Sequence, residues 1–273
     1  MRFTKSWMCG ALAAGLLACT AAADTLESVE KAIIEKVAQH KSYQFKSAVT
    51  QNMDMPEMKI ESQTQGTFEF LKKGDKWLYR SEAKTKSTTV AQGHEQKSDN
   101  TVLMICDGEY MYTLSESDGQ KSAMKSRMGA EQFTMLTDKA YFDSLRKDWD
   151  LKLLPDETVD GKATWAIEAT FKQAKTAPAG TMITMITYFD KENGLGIKMI
   201  GKDTAGKTVM TSTTTDIKIN PTLNADRFVF KAPAGVQIID VSQQTSPAEE
   251  TAEHAAHEQK AEESKKPAES QKK

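Results

Sequence analysis

Thr181–Asp240 reads TMITMITYFDKENGLGIKMIGKDTAGKTVMTSTTTDIKINPTLNADRFVFKAPAGVQIID. Short β-prone runs alternate with turn signals in this stretch. Met182–Phe189 is rich in Ile, Thr, Tyr and Met. Asn193-Gly194 supplies the positive-φ positions of a tight turn. Leu195–Lys202 and Lys207–Ile219 read as the next two strands, separated by a turn at Asp203–Gly206. Pro221 ends the third strand, because proline cannot donate to a sheet ladder. Arg227–Lys231 and Val236–Asp240 read as two short final strands. The pattern predicts an antiparallel meander.

Working outward, Lys162–Phe171 and Trp149–Leu154 read as strands around an Asp160-Gly161 turn, with Trp165, Ile167 and Ala169 on one face. Gly129–Lys147 is the one helical stretch in the middle, broken near Thr137-Asp138 into two short helices. Thr101–Cys106 is an apolar run expected to be buried on both faces. Asp107-Gly108 then turns into Glu109–Leu114, which places Tyr110, Tyr112 and Leu114 together. Gly66–Leu71 puts Phe68 and Phe70 on one face, and Trp77 and Tyr79 follow the Lys72-Lys73-Gly74-Asp75 turn. Tyr43, Phe45, Ser47 and Val49 alternate with polar residues. Residues 54–64 read as a turn or edge, and Lys84–Asn100, polar throughout, as a flexible loop. Asp24–His40 reads as a helix capped by Asp24 with Glu27, its stripe formed by Leu26, Val29, Ile33 and Val37.

The N-terminus carries Arg2 and Lys5 before an apolar run from Trp7 to Ala18, too short to span a bilayer. Ala21-Ala22-Ala23 offers a cleavage site, so residues 1–23 read as a secretory signal peptide. Leu16-Leu17-Ala18-Cys19 also resembles a lipobox, in which residues 1–18 are removed and Cys19 is lipidated. Both readings stand at this point. Residues 24–243 then form the folded domain. Residues 244–273, rich in Glu, Lys and Ala, lack the apolar content to fold and read as disordered.

A net charge of -2 argues against a nucleic-acid partner. Cys106 is the one cysteine of the folded part, so no internal disulfide forms, and it reads as a buried, inert thiol. Nucleophile elbows, zinc-protease helices and phosphate loops are absent from the sequence. His254 and His257 in the tail do not make a metal site. No enzyme activity, cofactor or metal is expected. The 14 methionines suit a core or an adaptable apolar surface.

The order Tyr188-Phe189-Asp190, Asn193-Gly194-Leu195, Ile197-Lys198-Met199, Asp216-Ile217-Lys218-Ile219-Asn220-Pro221 and Phe228-Val229-Phe230 with Pro233 and Gly235-Val236 resembles the LolA/LolB-like outer-membrane lipoprotein-sorting superfamily. The Val102–Leu114 hairpin and the Gly66–Tyr79 stretch add to the likeness. The resemblance implies a mainly β fold: a strongly curved antiparallel sheet forming a half-open barrel, with an N-terminal helix and short lid helices. It implies a periplasmic carrier or acceptor that performs no chemistry. Its cavity would take the acyl chains of lipoproteins or lipids, walled by Phe45, Phe68, Phe70, Trp77, Tyr79, Tyr112, Trp165 and Ile167. Phe133, Met135 and Leu136 would form the lid. Lys72 and Lys73 stand where the family's carriers have a gating arginine, and lysine lacks that residue's planar fork of donors. An inner-membrane release complex or an outer-membrane acceptor would be partners of a monomer. A second implied reading is an envelope-stress sensor or interaction protein of the RseB-like type.

Overall fold

Thr25 starts the first helix. The Thr25 Oγ1 accepts from Ser28 N at 3.2 Å, and the Ser28 Oγ accepts from Thr25 N at 2.9 Å. This reciprocal cap fixes α1, Leu26–Ala38. It corrects the expected Asp24–Glu27 cap by one residue. Asp24 is used elsewhere, accepting from Trp165 Nε1 at 3.0 Å. The stripe is as expected: Val29, Ile33 and Val37 are almost fully buried.

The computed structural model describes residues 24–55, 57–127 and 139–242. After α1 come β1 (Ser42–Met55), β2 (Met58–Lys73), β3 (Lys76–Ala91), β4 (His94–Cys106), β5 (Tyr110–Ser117) and β6 (Gln120–Arg127). Then follow α2 (Lys139–Asp148), β7 (Trp149–Val159), β8 (Lys162–Phe171), β9 (Met182–Asp190), β10 (Gly196–Asp203), β11 (Thr208–Ile219) and β12 (Ile238–Asp240). All twelve strands form one open, curved sheet, in the order β12-β6-β5-β4-β3-β2-β1-β11-β10-β9-β8-β7. Among the described residues the sheet is a mainly β half-barrel carrying two α-helices.

Four sequence expectations are corrected. Residues 54–64 are a turn only at the tip, and from Met58 onward they form β2, paired on both sides. Lys84–Asn100 is not a loop. It is a hairpin of β3 and β4, closed by Gln92-Gly93 with both residues at positive φ, the geometry a two-residue turn needs. Thr101–Cys106 is deeply buried only at Ile105 and Cys106. Arg227–Lys231 is not a strand: Ala225–Phe228 forms a 3-10 turn, and β12 pairs parallel with β6 at the far edge. The sheet is therefore mixed rather than a pure meander.

The helices lie on one face of the sheet. Val29 and Ile33 pack with Phe142, Trp165, Ile167 and Phe189, while Val37 packs with Tyr43, Phe70 and Leu195. Arg146 of α2 pairs with Glu30 of α1, with Nη2 2.6 Å from Oε2. The β9–β10 turn docks beneath α1. A Cβ at Gly194 would meet Ile33 O at 3.0 Å, so only glycine lets the turn approach the helix this closely. His40 Nε2 donates to the Asn193 carbonyl at 2.8 Å.

Candidate ligand-binding face

Side-chain alternation assigns every strand residue to one of two faces. Tyr43 of β1 packs on α1, which fixes the helix-bearing face. Pairing carries that face across the sheet through Tyr43↔Phe70, Phe70↔Tyr79, Tyr79↔Cys106 and Cys106↔Met111. The end nearest α1 is aromatic. Tyr43 and Phe70 stack with centroids 4.4 Å apart, Phe45 and Phe68 at 5.1 Å, and Phe70 lies 4.9 Å from Tyr79. Trp77 meets Tyr43 edge-on at 5.6 Å. Burial pushes the Tyr43 phenol well above its ordinary value, so it is neutral.

Farther from α1 the same face becomes a band of hydroxyls and apolar side chains. Ser47, Val49, Ser62, Thr64, Thr85 and Ser87 follow one another by register. Thr64 and Thr85 hydroxyls are 2.8 Å apart, and those of Ser87 and Ser98 2.7 Å apart. Met53, Met104, Met111, Met185, Met199 and Met210 lie on this face too. Positions of this face along β1 and β2 are half-buried, whereas those facing the other way are mostly exposed.

Charge is sorted just as sharply. Among the described residues of β1–β6, Lys72 at the end of β2 is the one Lys, Arg, Asp or Glu on the helix-bearing face. Lys46, Glu61, Glu82, Lys84, Lys86 and Lys97 all point the other way. Two cavities of about 560 and 530 Å³ are bounded chiefly by these outward side chains. Charged rims of that kind suit polar solutes, not hydrocarbon.

The expected wall residues fall into three groups. Phe45, Phe68, Phe70, Trp77 and Tyr79 come together in one cluster around Tyr43, a residue the sequence reading left out of the wall. Trp165 and Ile167 are on the same face but sit beneath α1 and α2, only 8% and 4% exposed, as core. Lys191 caps the Trp165 ring at 5.4 Å. Tyr112 is on the opposite face, a correction set by register. It stacks on Phe230 at 5.2 Å and 10°. Lys72 Nζ lies 6.0 Å above the Trp77 ring, and Lys73 is exposed at the turn. Phe133, Met135, Leu136 and Cys19 lie outside the described residues. The Cys106 thiol is buried and held above its ordinary value by that burial, as expected of an inert group.

The opposite face has a feature the sequence did not disclose. The segment after β11 runs across it as a strap. Arg227 Nε and Nη2 each donate at 2.9 Å to the buried Glu69 carboxylate, which Arg80 also approaches. Phe228 is buried, Phe230 meets Tyr112, and β12 ends the strap on β6.

No family model and no curated protein matches this sequence. Solved structures with a similar fold do exist. An uncharacterized conserved protein from Thermus thermophilus is 10% identical, with a TM-score of 0.47 over 78% of this chain and 98% of its own. A chain of the Pseudomonas aeruginosa MucA/MucB complex is 15% identical, with a TM-score of 0.41 over 80% of this chain; the chain spans 66% of its length. A putative outer membrane lipoprotein-sorting protein domain from Vibrio parahaemolyticus is 11% identical, with a TM-score of 0.32 over 74% of this chain and 96% of its own. These likenesses concern fold alone.

Proposed function

We propose that the helix-bearing face binds an acylated molecule, a lipoprotein or another lipid, and carries or receives it without chemical change. The observation that supports this is the depletion of charge on that face along β1–β6, where among the described residues Lys72 is the one exception. A surface that bound only water or polar solutes would gain nothing from such sorting. An acyl chain laid along it gains about 0.8 kcal/mol per buried CH₂. Phe45, Phe68 and Tyr79 would form the floor, and the flexible thioethers above them would adapt to chains of different shape. The hydroxyl band would face the polar part of the ligand. The N-terminal leader reading makes the periplasm the place of action, with the chain either free or anchored through Cys19. Among the described residues no helix is long and apolar enough to cross a membrane.

The test is native mass spectrometry of the full chain purified from its own host, before and after incubation with phospholipid and acylated peptide. The expected result is a mass excess matching one acylated ligand, lost on denaturation. A chain that arrives ligand-free and takes up neither probe would overturn the proposal. A protein partner retained without any lipid would do so as well, in favour of an interaction module.

A further inference from the structure

β1 ends in Met53-Asp54-Met55 and β2 opens with Met58, within the sequence run MDMPEM. Register splits this run between the two faces. Met55 pairs with Met58, Asp54 with Lys59 and Met53 with Ile60. Asp54 and Lys59 therefore share the outer face, where their charged atoms lie 3.7 Å apart. The three thioethers share the helix-bearing face.

Directly opposed side chains in an antiparallel pair begin about 5 Å apart, and diagonal ones about 7–8 Å apart. Methionine covers such spans with three rotatable bonds. The sulfurs of Met53, Met55 and Met58 can thus meet at one point. All three residues are half-buried, so the point is reachable from water. A cavity of about 420 Å³ at the hairpin end is bounded by Met55, Glu57, Met58, Lys59, Val90 and the Gln92-Gly93 turn, so it reaches two of the three thioethers from the edge and outer side of the hairpin. Met53 Sδ already accepts from Gln51 Nε2 at 2.8 Å, which leaves it facing a polar neighbour rather than sealed in core. The loop before β9 braces the tip: a Cβ at Gly180 would lie 2.6 Å from Asp54 O and 3.1 Å from Met55 Cγ.

The donor set decides the ligand. Among the described residues no group of His, Cys, Asp and Glu could hold a metal ion, so hard and borderline cations find no such cluster. Uncharged thioethers are soft donors and select Cu(I) over divalent ions. The geometry points to a site for a soft monovalent cation, Cu(I) or Ag(I), ligated by Met53, Met55 and Met58. Neutral ligands leave the ion its full charge, and a half-exposed tip is where that charge costs least.

The experiment is an anaerobic Cu(I) titration of the full chain against a chromophoric Cu(I) chelator, repeated on M53L/M55L/M58L. Leucine keeps the apolar volume and removes the sulfur, so the fold is retained, as circular dichroism would verify. Losing even supporting partners of a metal costs about 10–100-fold in affinity, so losing three ligands should cost about 100-fold or more. X-ray absorption should show sulfur scattering around copper in the wild type and not in the variant. A parallel Ag(I) titration followed by methionine methyl shifts separates the two ions. Wild type that does not compete with the chelator, or a triple variant that binds as tightly, would overturn the assignment. The second result would also place any bound copper on the cysteines or the tail.

Discussion

Glu69 shows how much one residue can hold. Its carboxylate is almost fully buried on the sheet's outer face, between Gln44, Arg80 and Arg227. Burying a carboxylate is costly unless donors surround it, and Arg227 supplies two. Arg227→Ala should cost about 1.5–3 kcal/mol, the range for hydrogen bonds to a charged group, measured by urea denaturation. A loss under a few tenths would mean that Arg80 and solvent suffice. That Phe45, Phe68, Trp77 and Tyr79 share one face was legible in the sequence, since they keep a period of two within their own strands. The sequence reading misplaced Tyr112 because the phase of one strand against the next is set by pairing across a turn. No local pattern reports that phase.

At the level of elements, the β3–β4 hairpin was hidden by its composition. Glu82, Lys84 and Lys86 alternate with Ala83, Thr85 and Ser87. Alternation of charge with hydroxyl is a strand signal, but it lacks the apolar contrast that usually marks one. Its turn is Gln92-Gly93, outside the usual Asn-Gly and Asp-Gly pairs. α1, by contrast, was legible from its stripe. Ile33 is fully buried between the helix and the sheet, so Ile33→Ala should cost about 2–5 kcal/mol in thermal or chemical unfolding. The strap makes a pH-dependent claim. Hydrogen bonds from Ser242, then Lys125, lower the Asp240 carboxyl from its ordinary 3.8 to about 2. A depressed carboxylate stabilises above its unfolded value and loses that contribution as pH falls through the folded one. β12 should therefore hold to β6 above pH 4 and loosen toward pH 2. Hydrogen exchange at Val241 N–H, which donates to Lys125 O at 2.8 Å, would register the release. Equal protection across that window would contradict it.

For the whole molecule, the governing feature is the separation of charge between the two faces of the sheet along β1–β6, where among the described residues Lys72 alone departs from it. Each strand contributes only an alternation, and the faces exist only once register aligns those alternations. That is why the half-barrel was legible as a resemblance and the sorting of charge between its faces was not. Thr85→Lys would place one charge in the hydroxyl band. It should abolish uptake of an acyl probe while leaving the circular dichroism unchanged, whereas Lys84→Thr on the outer face should leave uptake intact. The measurement that bears most directly on the binding face is photo-crosslinking with an acyl chain carrying a diazirine, mapped by peptide mass spectrometry. Adducts are expected on Ala83, Thr85, Val102 and Met104. Adducts on Glu82, Lys84 and Leu103 instead, or spread evenly over both faces, would contradict the assignment of the ligand to the helix-bearing side.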